Sequence, residues 1–144
     1  MSSSKRVNLL LAIAAVAGFC LFATLNNPAA MNKSSPNVQH VLENEFTNEV
    51  LHSSQPVVVD FYATWCEPCR VLEPLLDRVA GGYTNKIKFV KVNVDESPLQ
   101  AQIYDAELLP MMLIFKDGKV ADHVLGLPAE ADLRSKLDAL AAGK

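Results

Sequence analysis

The chain has 144 residues, which suits one domain with a single hydrophobic core. Three cysteines are too few for a disulfide scaffold. Lys5, Arg6 and Lys33 are the only charges in residues 1–33. The other ten basic and sixteen acidic side chains give residues 34–144 a net charge of −6, the wrong sign for a surface that grips phosphates.

The first element is apolar. Lys5 and Arg6 precede an uncharged run of 19 residues, Val7 to Leu25. As a helix it would extend roughly 28 Å, close to the hydrocarbon thickness of a bilayer. Cleavable signal peptides usually carry a shorter apolar region, and the possible cleavage sites near Ala23 and Ala30 lack a small residue at one of the two expected positions. Residues 1–25 are therefore expected to be a signal anchor, with a cleaved signal peptide as the alternative. The basic flank favours a cytoplasmic N-terminus. The rest would then be extracytoplasmic, in a periplasm or its equivalent, or secreted if the segment is removed. Residues 26–37 form a polar linker with Pro and Ser, and residues 38–144 the folded domain.

From Val38 strand-like and helical patterns alternate. Val38–Glu43 reads as a first strand and Asn44–Ser53 as a short helix with Phe46, Val50 and Leu51 at helical spacing. Pro56–Ala63 is nearly continuous in apolar, β-branched residues, which suits a central strand buried on both faces. A helix follows, with Val71, Leu72, Leu75, Leu76 and Val79 in period, a kinking Pro74, and a stop at Gly81-Gly82. Lys86–Asp95 alternates as a strand, and Ser97 and Pro98 open another short helix with Ser97 as N-cap. Met111–Gly126 reads as a hairpin turning at Asp117-Gly118, and Pro128–Ala142 as an amphipathic helix with Leu133, Leu137 and Leu140 on one face. The order predicts an α/β fold with a mixed central sheet and helices on both faces.

Cys66 and Cys69 sit two residues apart where the central strand gives way to a helix. Free N–H groups and the positive end of the helix dipole favour a thiolate there, and the second thiol lies within reach of the first. Pro68 stiffens the loop between them. A structural zinc site would need four ligands. There is no second cysteine pair, and His40, His52 and His123 are scattered without metal-ligand spacing. A purely structural disulfide closing so small a loop would stabilise little. A redox pair is the reading that remains strongest. Asp60 interrupts the most apolar strand six residues before Cys66. A carboxylate buried there would have a raised pKa and could accept and return the proton of Cys69.

Residues Val57–Leu76, "VVVDFYATWCEPCRVLEPLL", with "KVNVDESP", "LPMMLIFKDGKV" and Gly126, closely resemble the thioredoxin family over about residues 38–142. The resemblance implies a thioredoxin-like fold and a thiol–disulfide oxidoreductase. It implies that Cys66 is the exposed nucleophile, Cys69 the resolving cysteine, Asp60 the proton acceptor and donor, and Lys91 the neighbour that modulates Asp60. It also implies a substrate groove lined by Trp65, Pro68, Leu109, a cis-Pro110 and Gly126, and it calls for no cofactor and no metal. The expected partners are protein disulfides and a membrane electron donor, with the membrane engaged through residues 7–25, no nucleic acid, and a monomeric state. Glu67 replaces the usual Gly between the cysteines, Met111 follows Pro110 where Thr is common, and Asp105 and Glu107 border the expected groove. A negative charge at Glu67 should disfavour the thiolate and make the protein a reductant. The alternatives are an oxidant or isomerase of secreted proteins, and a membrane-tethered binding module without turnover.

Overall fold

The computed structural model describes residues 35–143. The N-terminal segment 1–25 and most of the linker lie outside the described residues. Among those described, no helix is long and apolar enough to cross a membrane.

Five strands form one sheet in the order β1-β3-β2-β4-β5, where β1 is Gln39–His40, β2 Val57–Tyr62, β3 Lys88–Asn93, β4 Met111–Lys116 and β5 Lys119–Leu125. Strands β1 and β2 both run parallel to β3, while β4 runs antiparallel to β2 and β5 antiparallel to β4. The parallel pairs need crossovers, and the helical segments supply them. The sheet is mixed, as its sequence order predicts.

Strand β2 is central and buried along its whole length. Its period of two divides the core. Val58 joins Phe89, Met112 and Ile114 on one face, under Leu72, Leu76 and Val79 of helix α1 (Glu67–Ala80) and Leu133 and Leu137 of helix α3 (Glu130–Ala141). Val57, Val59 and Phe61 join Val90, Val92, Leu113 and Phe115 on the other, against Phe46, Val50 and Tyr104. Each fully buried aliphatic or aromatic side chain here stabilises the fold by roughly 1.5–3 kcal/mol. The alternation puts Asp60 and Lys91 on the α1 side of the sheet.

Three local expectations are revised. The segment after β1 is a 3₁₀ turn, Glu43–Glu45, followed by a π-helical turn, Thr47–Leu51, rather than one short α-helix. It still delivers Phe46 and Val50 to the same core cluster. Helix α1 ends at Gly81, but with ordinary helical dihedrals and not a left-handed cap. A 3₁₀ turn carries the chain on to Tyr83, which is buried and donates its hydroxyl to Asp138 at 2.8 Å. Ser97 precedes helix α2 (Pro98–Ile103), yet its hydroxyl makes no cap. The Leu99 amide instead donates to the Glu43 carboxylate at 3.0 Å, a contact 56 residues distant in sequence.

The hairpin turn is as read. Asp117 and Gly118 both have positive φ, 52° and 72°. Gly118 is doubly required, because a Cβ there would stand 2.5 Å from the Leu51 carbonyl oxygen.

Candidate active site

The site is assembled where β2 ends. The Cys66 amide donates to the Ala63 carbonyl at 3.1 Å, which closes the corner, and Cys66 takes the N-cap position of α1. Glu67 and Pro68 are the first helical residues, where Pro costs no backbone hydrogen bond. Cys66 and Cys69 are joined by a disulfide, with Cα atoms 5.3 Å apart. The Cys69 amide donates to Cys66 Sγ at 3.2 Å. An orphan N–H of the helix start thus points at the sulfur that would carry negative charge.

Exposure does not distinguish the two cysteines as expected. Each is only 4% exposed, because the loop folds both sulfurs against Tyr62, Ala63, Val94 and Leu109. What differs is the donor: the structure gives Cys66 Sγ an amide N–H.

Leu109 ties the next strand to this cluster. The Leu109–Pro110 peptide is cis, and Pro110 is buried. The Gly126 amide donates to the Pro110 carbonyl at 2.9 Å. Gly126 has a φ of 71°, and a Cβ there would meet nothing within 4 Å, so backbone conformation and not space calls for glycine.

Trp65, Leu108, Leu125 and Leu127 are half or more exposed near the ends of these segments. The Trp65 indole N–H donates to the Asp95 carboxylate at 3.0 Å, which fixes the ring. Asp105 and Glu107 are exposed on the turn leading to Leu109. The Glu67 carboxylate is paired with Arg70 at 2.7 Å and is well exposed, so its charge is partly answered and screened.

Beneath the corner Asp60 is buried, and its Oδ1 has no hydrogen-bond partner among the described residues. Burial raises its pKa from 3.8 to about 7. The nearby Lys91 ammonium opposes that rise, and the Glu73 carboxylate reinforces it. Lys91 lies directly across from Asp60 in the β2–β3 register. Its ammonium, however, donates to Glu73 of α1 at 2.7 Å and sits over the Tyr62 ring, 5.3 Å from the centroid. Lys91 is itself buried, and Glu73 is about one-third exposed. Burial and the surrounding carboxylates push the Tyr62 phenol up to about 12.

Sequence reasoning missed Glu73, Asp95 and Tyr62. A signal for Glu73 exists: it lies four residues after Cys69, one helical turn along the same face.

The arrangement supports one chemistry: a cysteine pair that opens and closes without unfolding anything, over a buried acid that titrates near neutrality. Comparison with known proteins agrees. Residues 37–139 match the thioredoxin family model. The chain is 45% identical over 98 residues to thioredoxin 1 of Synechococcus elongatus, a match covering 68% of this chain and 92% of that protein. It is 44% identical over 93 residues to the chloroplastic M-type thioredoxin of Chlamydomonas reinhardtii, covering 65% of this chain and 66% of that one. With the thioredoxin of Porphyra purpurea it shares 40% over 101 residues, covering 70% and 94%. A match of this extent, on a sheet and a cysteine corner of this form, makes the chain a member of the thioredoxin family and a thiol–disulfide oxidoreductase.

Proposed function

We propose that this protein reduces disulfides of protein substrates outside the cytoplasm, held at the membrane by residues 7–25 and recharged by a membrane electron donor. The Cys69 N–H···Cys66 Sγ bond carries the mechanistic part of this reading, because a donor at that sulfur supports Cys66 as the attacking thiolate. The apolar run behind Lys5 and Arg6 supports the location.

In the reduced protein the Cys66 thiolate attacks one sulfur of a substrate disulfide. A mixed disulfide forms, and the other substrate sulfur leaves as a thiolate and takes up a proton. The Cys69 thiol then passes its proton to the Asp60 carboxylate. The resulting thiolate attacks Cys66 Sγ, and the second substrate sulfur leaves and is protonated in turn. Two electrons have moved to the substrate, and the Cys66–Cys69 disulfide is restored. Trp65, Leu109, Pro110 and Gly126 form the docking surface around this corner, with Pro68 stiffening the loop. Asp105 and Glu107 on its border select for the partner.

Trapping tests the direction. A Cys69→Ala variant should retain its mixed disulfides in cells, and mass spectrometry of the captured proteins identifies them. Partners drawn from oxidative folding alone would reject the reductive reading. Protease protection of the domain in intact membrane vesicles tests its side of the membrane.

A further inference from the structure

Asp60 and Lys91 are register partners on adjacent parallel strands and point to the same face of the sheet. Opposite charges so placed, in a buried site, would ordinarily pair. Here they do not: Asp60 Oδ1 is left without a hydrogen-bond partner among the described residues. The Lys91 ammonium is held instead by Glu73 on the overlying helix at 2.7 Å, with the Tyr62 ring beneath it. Lys91 is buried, whereas Glu73 is partly open to water. A half-solvated carboxylate therefore competes with a buried one for a single cation.

The other groups facing Asp60 do not replace that cation. Strand β4 sets Met112 across from it, and the residues of α3 in this core are Leu133, Leu137 and Leu140. Among the described residues Tyr62, two positions along β2, is a further titratable neighbour; His40 approaches its ring edge-on, and His40 Nε2 lies 3.4 Å from a Glu96 carboxylate oxygen.

We infer that Glu73 is a positioning residue for the proton store: by holding the Lys91 ammonium on the helix side, it keeps Asp60 without a salt-bridge partner and so able to carry the Cys69 proton. The inference rests on the reading of Asp60 as the acceptor of that proton, and it deepens it. Among the described residues the partner of the Glu73 carboxylate is the Lys91 ammonium. It acts through Lys91. The direction is unambiguous, because removing its charge both frees the ammonium and deletes a nearby anion, and each change favours ionised Asp60.

The test follows the Asp60 carboxyl itself by carbon NMR across a pH titration of the full-length reduced protein. In Glu73→Gln the titration should move down by about one pH unit. The acid limb of the pH–rate profile for disulfide exchange should move with it. Glu73→Asp, which keeps the charge, should restore most of the wild-type titration. In a Lys91→Met background the same Glu73→Gln change should shift Asp60 by less than half as much. An Asp60 titration unchanged by Glu73→Gln in a protein that melts normally overturns the inference, as does an equal shift in the Lys91→Met background. Glu73→Ala is read by the same criteria if the glutamine variant fails to fold. Failure of the underlying reading looks different: Asp60→Asn would then exchange disulfides at the wild-type rate, whatever Glu73 does to the titration.

Discussion

Lys91 stands across the β2–β3 ladder from Asp60 and gives its ammonium to Glu73. A buried acid is left beside a cation that is committed elsewhere. Desolvation then outweighs the cation, and the carboxyl titrates at about 7 instead of 3.8.

The first prediction concerns stability. An acid whose folded pKa is raised binds its proton more tightly in the native state, so its contribution is fully present below about pH 4 and is lost as pH rises through about 7. Asp60→Asn should match the wild type within about 1 kcal/mol at pH 4 and exceed it by on the order of a few kcal/mol at pH 8. Urea unfolding of the oxidised protein at the two pH values measures this. A gap of the same size at both would show that ionisation is not the cause.

The second concerns turnover. Cys66→Ser should lose at least about a thousandfold in protein-disulfide reduction, because a hydroxyl does not replace an activated thiolate. Cys69→Ser should lose turnover but keep a single round of attack, seen as a stable mixed disulfide on non-reducing gels. Reversal of the two phenotypes would exchange the roles of the cysteines.

The third separates Glu67 from the helix around it. Its carboxylate disfavours the Cys66 thiolate, so Glu67→Gln should make the protein more oxidising. The Arg70 pair and solvent exposure limit the effect to no more than about 20 mV, the equivalent of ~1 kcal/mol. Equilibration against a glutathione series reads the sign. A shift toward more reducing values would reject the electrostatic account.

The fourth compares two glycines with the same backbone sign and different surroundings. Gly126→Ala should cost about 1 kcal/mol, the strain of a left-handed conformation in open space. Gly118→Ala should cost at least ~1 kcal/mol more, because its Cβ would also meet the Leu51 carbonyl at 2.5 Å. Denaturation midpoints at constant m-value decide the order.

Much of the fold was legible because it rests on periodicity. The nearly continuous apolar run of β2, the alternation in β3 and the Asp117-Gly118 turn each state their geometry in a few consecutive residues. So does the cysteine pair at a strand-to-helix corner. What escaped was set by partners distant in sequence. Ser97 stands at a cap position, but the helix it precedes is capped by Glu43, which only the folded chain brings there. Gly81-Gly82 reads as a stop, yet the buried Tyr83 and its bond to Asp138 draw the helical path one turn further. The family resemblance placed Lys91 beside Asp60, but whether it paired there depended on how α1 lies over the sheet. Glu73 reads in sequence as one more solvated helix carboxylate. The equal burial of Cys66 and Cys69 was also invisible, because it comes from the packing of Tyr62 and Leu109 around the closed loop.

The position of Asp60 in the middle strand has a dynamic consequence. Its backbone belongs to a strand laddered on both sides, to β3 and to β4. Amides in such a strand exchange with solvent mainly through global unfolding, whereas exposed turns open far more often. Trp65 and Leu108 are exposed and lie outside the sheet, so a partner that meets them need not disturb the ladder that holds the acid below. Under the proposed mechanism, docking would fall on exposed side chains outside the sheet and proton storage on its central strand, whose opening costs most, so a change at the surface would leave the acid in place.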